Sequence, residues 1–313
     1  MKSISQLDLH SLRVLDGGMA SELERRGCDI SGPLWSAHVL DSSPDAVKQV
    51  HLDYLRAGAD CISTVSYQIS NLGYAELGRR AEDAAGALRH SVEIAIAARD
   101  EYRDESGRTA FIAVSLGPYG AALHNGAEFH GRYDIPFDDL VHFHSERLTV
   151  AASTQADLIA LETVPSLEEA RAITVALAQL TSIAAWVSFT CRDESRTAHG
   201  EPIAECAALL QTAPQVVAVG VNCTQPRFIG PLIGEIRSAS HKPIFVYPNS
   251  GELWNAENRS WNDSPYGPSD IEAYARQARA WYASGAHTVG GCCRTTPAHI
   301  RAIRENHPAL VPE

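Results

Sequence analysis

Eight short apolar runs, rich in β-branched residues and separated by helix-like stretches, constrain this chain more than any other feature. They lie near 12–16, 61–65, 111–115, 158–162, 184–189, 216–222, 243–248 and 287–291. Unbroken runs of this kind are what strands covered on both faces produce. Helix-like stretches fall between and after them, near 43–58, 79–103, 138–155, 166–180, 202–212, 226–238, 269–284 and 296–305. Ser43 and Pro44 form an N-cap and first-turn pair. Several stretches close on Ala-Gly or Ala-Ser-Gly, as helix ends do. Eight strands alternating with eight helices predict an α/β fold, a (β/α)8 TIM barrel. The competing doubly wound sheet calls for a Gly-rich phosphate loop after its first strand. Here Asp16-Gly17-Gly18 follows that strand, and G-x-G-x-x-G is not matched. No linker rich in Pro, Gly or Ser divides the 313 residues, so the expectation is one domain over 1–313.

Charge narrows the function. With 26 Lys and Arg against 38 Asp and Glu the net charge is −12, the wrong sign for neutralising phosphates. It suits neutral, zwitterionic or cationic small molecules. No apolar run approaches the roughly 18 residues that span a membrane, and the opening MKSISQLDLHSLRVL has no signal-peptide core. The expectation is a cytoplasmic enzyme with small-molecule partners and neither nucleic acid nor membrane. In that compartment the seven cysteines read as thiols or metal ligands, not as a disulfide framework.

A barrel gathers its chemistry at the C-terminal ends of its strands. Those ends carry Asp16, Ser66, Gly117, Glu162, Phe189, Asn222 with Cys223, Asn249, and Cys292 with Cys293. Only one strand separates the Cys223 end from the Cys292-Cys293 end, so the three thiols fall within about 10 Å at ordinary strand spacing. Three thiolates on one point suit Zn2+ and leave its fourth position open, as in catalytic zinc sites. Gly290 and Gly291 would let the backbone come close. Cys28, Cys61, Cys191 and Cys206 read as structural or neutral.

Asp16 and Glu162 face the same mouth. They read either as an N-cap and a local salt bridge or as acceptors for a ligand ammonium, with N–H groups around Gly17 and Gly18 taking its carboxylate. Thiolate-bound zinc with such acceptors fits an amino-acid thiol. His142 and His144 point about 200° apart on a helix, and His124 and His130 lie in a loop, so no metal is placed on them. Two long connections, 117–136 and 249–268, leave the catalytic face and are read as covers for the site.

These residues, in this order, resemble the homocysteine S-methyltransferase family. The matching segments are LDGGMASELERRG (15–27), LWSAHVL (34–40), STVSYQIS (63–70), SLGPYGAALHNGAEFHGRY (115–133), LETVPSLEEA (161–170), GVNCT (220–224), YPNSGELW (247–254) and GGCCRTTP (290–297). The pairing of GVNC with GGCC is the specific part. The resemblance implies a zinc-dependent barrel that methylates homocysteine to methionine. By position, Cys223, Cys292 and Cys293 would hold zinc, and the substrate sulfur would fill the open site. Asp16 and Glu162 would hold the homocysteine amino group; Gly17 and Ser66 would lie at its amino-acid end; Asn222 and Asn249 would be further substrate residues.

The chemistry follows from the thiol. Zinc coordination deprotonates it at neutral pH, and the methyl group moves in line from a positively charged donor whose leaving sulfide is neutral. Orientation then matters more than acid–base help. Members of the family use S-methylmethionine, S-adenosylmethionine, betaine or methyltetrahydrofolate. With about 20 residues after GGCC and with the LWSA and SYQ strings, the resemblance favours S-methylmethionine, with S-adenosylmethionine as a slower donor. Trp254, Trp261 or Tyr119 would present an aromatic face to the sulfonium. The rival readings are another thiol or selenol acceptor, betaine as donor, a non-enzymatic zinc or thiol redox sensor, and an open-sheet nucleotide enzyme.

Overall fold

The computed structural model describes residues 7–30, 38–180, 183–251, 253–255, 260–262 and 270–307. Its strands are β1 (Cys61–Ser63), β2 (Phe111–Leu116), β3 (Leu158–Val164), β4 (Ala185–Phe189), β5 (Val216–Asn222), β6 (Ile244–Tyr247), β7 (Leu253–Asn255), β8 (Ser260–Asn262) and β9 (Thr288–Val289). Seven of them form one parallel sheet in the order β1-β2-β3-β4-β5-β6-β9. The first expected strand survives as two parallel bridges, Val14 to Val289 and Leu15 to Cys61. Bonds from Leu15 N to Val289 O (3.0 Å) and from Asp16 N to Cys61 O (3.1 Å) join β9 to β1 through this segment. The barrel is closed by residues 13–16, too few to register as a strand.

All eight expected helical stretches are present, and among the described residues four further α-helices sit in the loops. In chain order they are α1 (Met19–Arg25), α2 (Val39–Ser42), α3 (Pro44–Arg56), α4 (Asn71–Glu76), α5 (Ala81–Ser106), α6 (Tyr119–Ala122), α7 (Phe137–Ala152), α8 (Leu167–Ala178), α9 (Ile203–Gln211), α10 (Ile229–Ala239), α11 (Ile271–Ala283) and α12 (Pro297–Glu305). Pro44 starts α3 as expected, but Ser43 makes no side-chain cap; its carbonyl accepts from Ala46 N instead. Serine does cap α8, where Ser166 Oγ accepts from Glu169 N at 3.1 Å.

The apolar runs do alternate, but between two apolar surroundings. Ala113, Ala160, Trp186, Ala218 and Phe245 point into the barrel. Their neighbours Ile112, Val114, Ile159, Val187, Val219 and Val246 point out against the helices. Small alanines leave room for Trp186, whose Nε1 donates to Tyr247 Oη at 2.8 Å. Packing inside the barrel thereby fixes one wall of the mouth.

The connection 249–268 contains a short antiparallel hairpin, β7 with β8, in which Trp254 faces Trp261 across the ladder. Tyr266, the side chains of Trp254 and Trp261, and the whole LWSA string lie outside the described residues.

Candidate active site

The ends of β1, β2, β3, β5, β6 and β9 converge on a cavity of about 130 Å³. Asp16, Gly17, Glu162, Asn222 and all three expected cysteines line it. Its floor is the thiol cluster. Cys292 Sγ lies 3.2 Å from Cys223 Sγ, and Cys223 Sγ lies 3.5 Å from Cys293 Sγ. All three sulfurs fall within 4.8 Å of one another. A tetrahedron with Zn–S bonds near 2.3 Å has sulfur–sulfur edges of about 3.8 Å, so the cluster already has the size of the ligand set. Hydrogen bonds from Cys223 and Cys292 hold the Cys293 thiol well below its ordinary range. The donor set and its spacing fit a thiolate-preferring metal.

Backbone placement explains the cluster. Cys223 directly follows β5 and takes a left-handed conformation (φ 50°), which turns its side chain out of the strand's alternation. The 290–293 segment is tied down by Gly290 N to Val246 O, Gly291 N to Asp16 O and Cys292 N to Pro248 O. A Cβ on Gly291 would sit 2.2 Å from Thr295 Oγ1, so only glycine lets this turn pack as it does.

Asn222 reaches across the strands beneath the sulfurs. Its Oδ1 accepts from Thr163 N (2.7 Å) and Ser188 Oγ (2.9 Å). Its Nδ2 donates to Thr163 Oγ1 (2.8 Å) and lies 3.9 Å from Cys292 Sγ. These four protein contacts make it a positioning residue for Thr163 and Cys292. Thr163 is itself held at φ 63°, where a β-branched residue is strained, and the register of β3 shifts between Leu161 and Val164. This irregularity aims Glu162 into the cavity.

Neither carboxylate has the structural role weighed for it. The N-cap of α1 is Gly18, and Asp16 instead accepts from Ser63 N (2.7 Å) and Ser63 Oγ (3.3 Å). Glu162 accepts from Ser115 Oγ and has no ion-pair partner among the described residues. Burial, and next the charge of Cys292, push its carboxyl up to about 7. Burial also raises Asp16 well above the carboxylate range, and the neighbouring Glu162 adds to the rise. Both acids are short of positive charge.

Four expectations meet a different arrangement. The Gly18 N–H is taken by Thr295 O (3.1 Å) and Thr295 Oγ1 (3.2 Å), so it does not face a ligand. Ser66 is fully buried outside the lining: its hydroxyl donates to Ser115 O (2.8 Å) and lies 2.6 Å from Thr64 Oγ1. Asn249 also lies outside the lining; its N–H donates to Thr224 O (3.1 Å), and its buried Oδ1 has no partner among the described residues. Tyr119 packs on Tyr133 and Phe143 (centroids 5.3 and 5.2 Å); among the described residues, the aromatic side chains that line the cavity are Tyr67, Phe129 and Tyr247.

Sequence reasoning missed Glu128, Tyr67, Gln68 and Ser115 in the lining. Glu128 and Phe129 come from the 117–136 connection, which was expected to cover the site. That connection is fastened by Glu169 on α8, a fully buried carboxylate. Glu169 accepts from Tyr119 N (2.6 Å) and Tyr133 Oη, and its Oε1 lies 3.0 Å from His144 Nε2. Glu169→Ala would strand these buried groups, and we expect a loss of about 3 kcal/mol in denaturant-induced unfolding. A change below about 0.5 kcal/mol would show that the anchor carries no load. The other histidine of the pair on α7, His142, is exposed beside Glu146 (3.3 Å).

The family described as homocysteine S-methyltransferase matches residues 13–307. Homocysteine S-methyltransferase YbgG of Bacillus subtilis is 44% identical over 302 residues, 95% of either chain. A selenocysteine Se-methyltransferase of Brassica oleracea is 43% identical over 306 residues, 93% of this chain and 88% of that one. The homocysteine methyltransferase MmuM of Escherichia coli superposes with TM-score 0.84 in its oxidized form (36% identity, 96% and 97% of the chains). Its metallated form gives 0.83 (38% identity, 96% of each chain). Signature, full-length identity and fold agree, and the chain belongs to the homocysteine S-methyltransferase family.

Proposed function

We propose that this protein transfers a methyl group from a sulfonium donor, S-methylmethionine before S-adenosylmethionine, to the sulfur of L-homocysteine, giving methionine. The observation that carries the reading is three sulfurs within 4.8 Å of one another on the floor of a cavity whose charged lining, among the described residues, is acidic, Asp16, Glu128 and Glu162 with no Arg, Lys or His. Such a cavity selects cations: a metal ion, an ammonium, a sulfonium.

Cys223, Cys292 and Cys293 would hold Zn2+. Bound there, zinc supplies the Lewis acidity that ionises a thiol at neutral pH. The remaining work falls to the chain. Glu162 and Asp16 receive the homocysteine ammonium, which replaces the positive charge both lack. Asn222 keeps Cys292 and the strained Thr163 in place, so that the sulfurs and Glu162 hold one geometry. Tyr67, Phe129 and Tyr247 wall the space above with aromatic faces that attract a cation by about 1–2 kcal/mol when water is excluded. The donor's leaving sulfide is neutral, and no general acid is required.

Donor choice is tested by rates at fixed homocysteine. S-methylmethionine is expected to be fastest and S-adenosylmethionine slower; fastest turnover with betaine would overturn the donor assignment. A second reading, a selenol as acceptor, is favoured by the relative named for selenocysteine. Direct competition between homocysteine and selenocysteine decides between them.

A further inference from the structure

Asp16 and Glu162 suffice for one ammonium, yet the cavity holds a third acid. Glu128 is 3% exposed, its Oε2 has no hydrogen-bond partner among the described residues, and no ion pair involves it there. Burial pushes it up to about 7, and no positive side chain counters the rise. It stands on the covering connection rather than on a barrel strand, in the short helical turn Ala127–Phe129. Its charge reaches Tyr67 in the wall and Cys293 in the floor. A second buried acceptor lines the same cavity: Gln68, 5% exposed, has an Oε1 with no partner. Two buried acceptors without a donor are costly unless a ligand supplies N–H groups.

The geometry points to Glu128, assisted by Gln68, as the receptor for the α-ammonium of the methyl donor, and so as the residue that makes the protein prefer an amino-acid sulfonium over a simple one. This rests on the sulfonium-donor reading above. A sulfonium has no proton to share and cannot satisfy either oxygen, whereas an ammonium brings three donors. Two amino acids enter this site, and the chain offers acidic groups on two sides of it. Homocysteine is met from the barrel ends by Asp16 and Glu162, and the donor from the loop by Glu128.

The test compares S-methylmethionine with its desamino analogue, 4-(dimethylsulfonio)butanoate, in wild type, Glu128→Gln and Glu128→Ala. Wild type should prefer S-methylmethionine in kcat/KM by ~10- to 100-fold, the worth of a hydrogen bond between charged groups. In both variants the preference should fall to within about 3-fold, while bound zinc and the KM for homocysteine stay as in wild type. Calorimetric titration should show S-methylmethionine binding weakened by the same factor, independently of turnover. Gln68→Leu should move the preference in the same direction by less. Equal losses for the two donors, or a rise in homocysteine KM instead, would overturn the assignment. Wild type that turns over neither donor overturns the donor reading and this inference with it; turnover with an unchanged preference in the variants overturns the inference alone.

Discussion

Serine in place of Cys293 is expected to remove the metal and to lower methionine formation by more than about 100-fold, beyond what changes outside the ligand set produce. The reason is geometric. The site has three sulfurs, and a catalytic zinc with one open position uses all three protein ligands. Cys293 lies 3.5 Å from Cys223, within the cluster that would share the metal. The fold should be indifferent, because the barrel is closed by its strand ladder and by residues 13–16 rather than by the thiols. Metal analysis with denaturant unfolding of the metal-free protein checks both halves: zinc lost, stability changed by less than about 1 kcal/mol. Full activity in a zinc-free variant would remove the metal from the account.

Glu162→Ala is expected to leave the metal bound and to raise the homocysteine KM by about 10- to 100-fold, the value of a hydrogen bond to a charged group. Its carboxyl titrates near 7 in the ligand-free protein, so homocysteine affinity should fall as pH drops through 7 and the acceptor becomes protonated. Stability runs the other way. The folded state raises this carboxyl from 4.5 to about 7, so its contribution is complete below 4.5 and is lost as pH rises through 7. Glu162→Gln should therefore make the metal-free protein more stable than wild type at pH 8, by about 1–3 kcal/mol, and not at pH 4. The residue proposed to receive the substrate ammonium would thus destabilise the empty site. Unchanged homocysteine KM in Glu162→Ala would mean that Glu162 serves packing alone.

The parts legible in the sequence were those set by periodicity and by strand ends. A parallel barrel buries both faces of each strand, and that is why LIALE and VVAVGVN stood out as unbroken runs. The three cysteines were legible because they flank such runs, and strand order alone then brings Cys223 within reach of Cys292 and Cys293. The groups brought in by loops were not legible. Glu128 sits among glycines and histidines in a segment without period, and its burial depends on a connection that Glu169 fastens through Tyr119, fifty residues away along the chain and in contact only after folding. The shift in β3 that aims Glu162 depends on Asn222 reaching across from β5. Ser66 lies outside the cavity lining for the same reason: past the end of a three-residue strand, alternation no longer tells which side chain points inward.

The central claim is a metal-dependent methyl transfer between two amino-acid sulfur compounds. It is tested most directly by measuring methionine formed from homocysteine and S-methylmethionine before chelation, after chelation, and after zinc is restored with a reductant. The account predicts turnover, its loss with the metal, and its return with zinc. Turnover that continues after the metal has been stripped would contradict it, and would leave Cys223, Cys292 and Cys293 as structural residues.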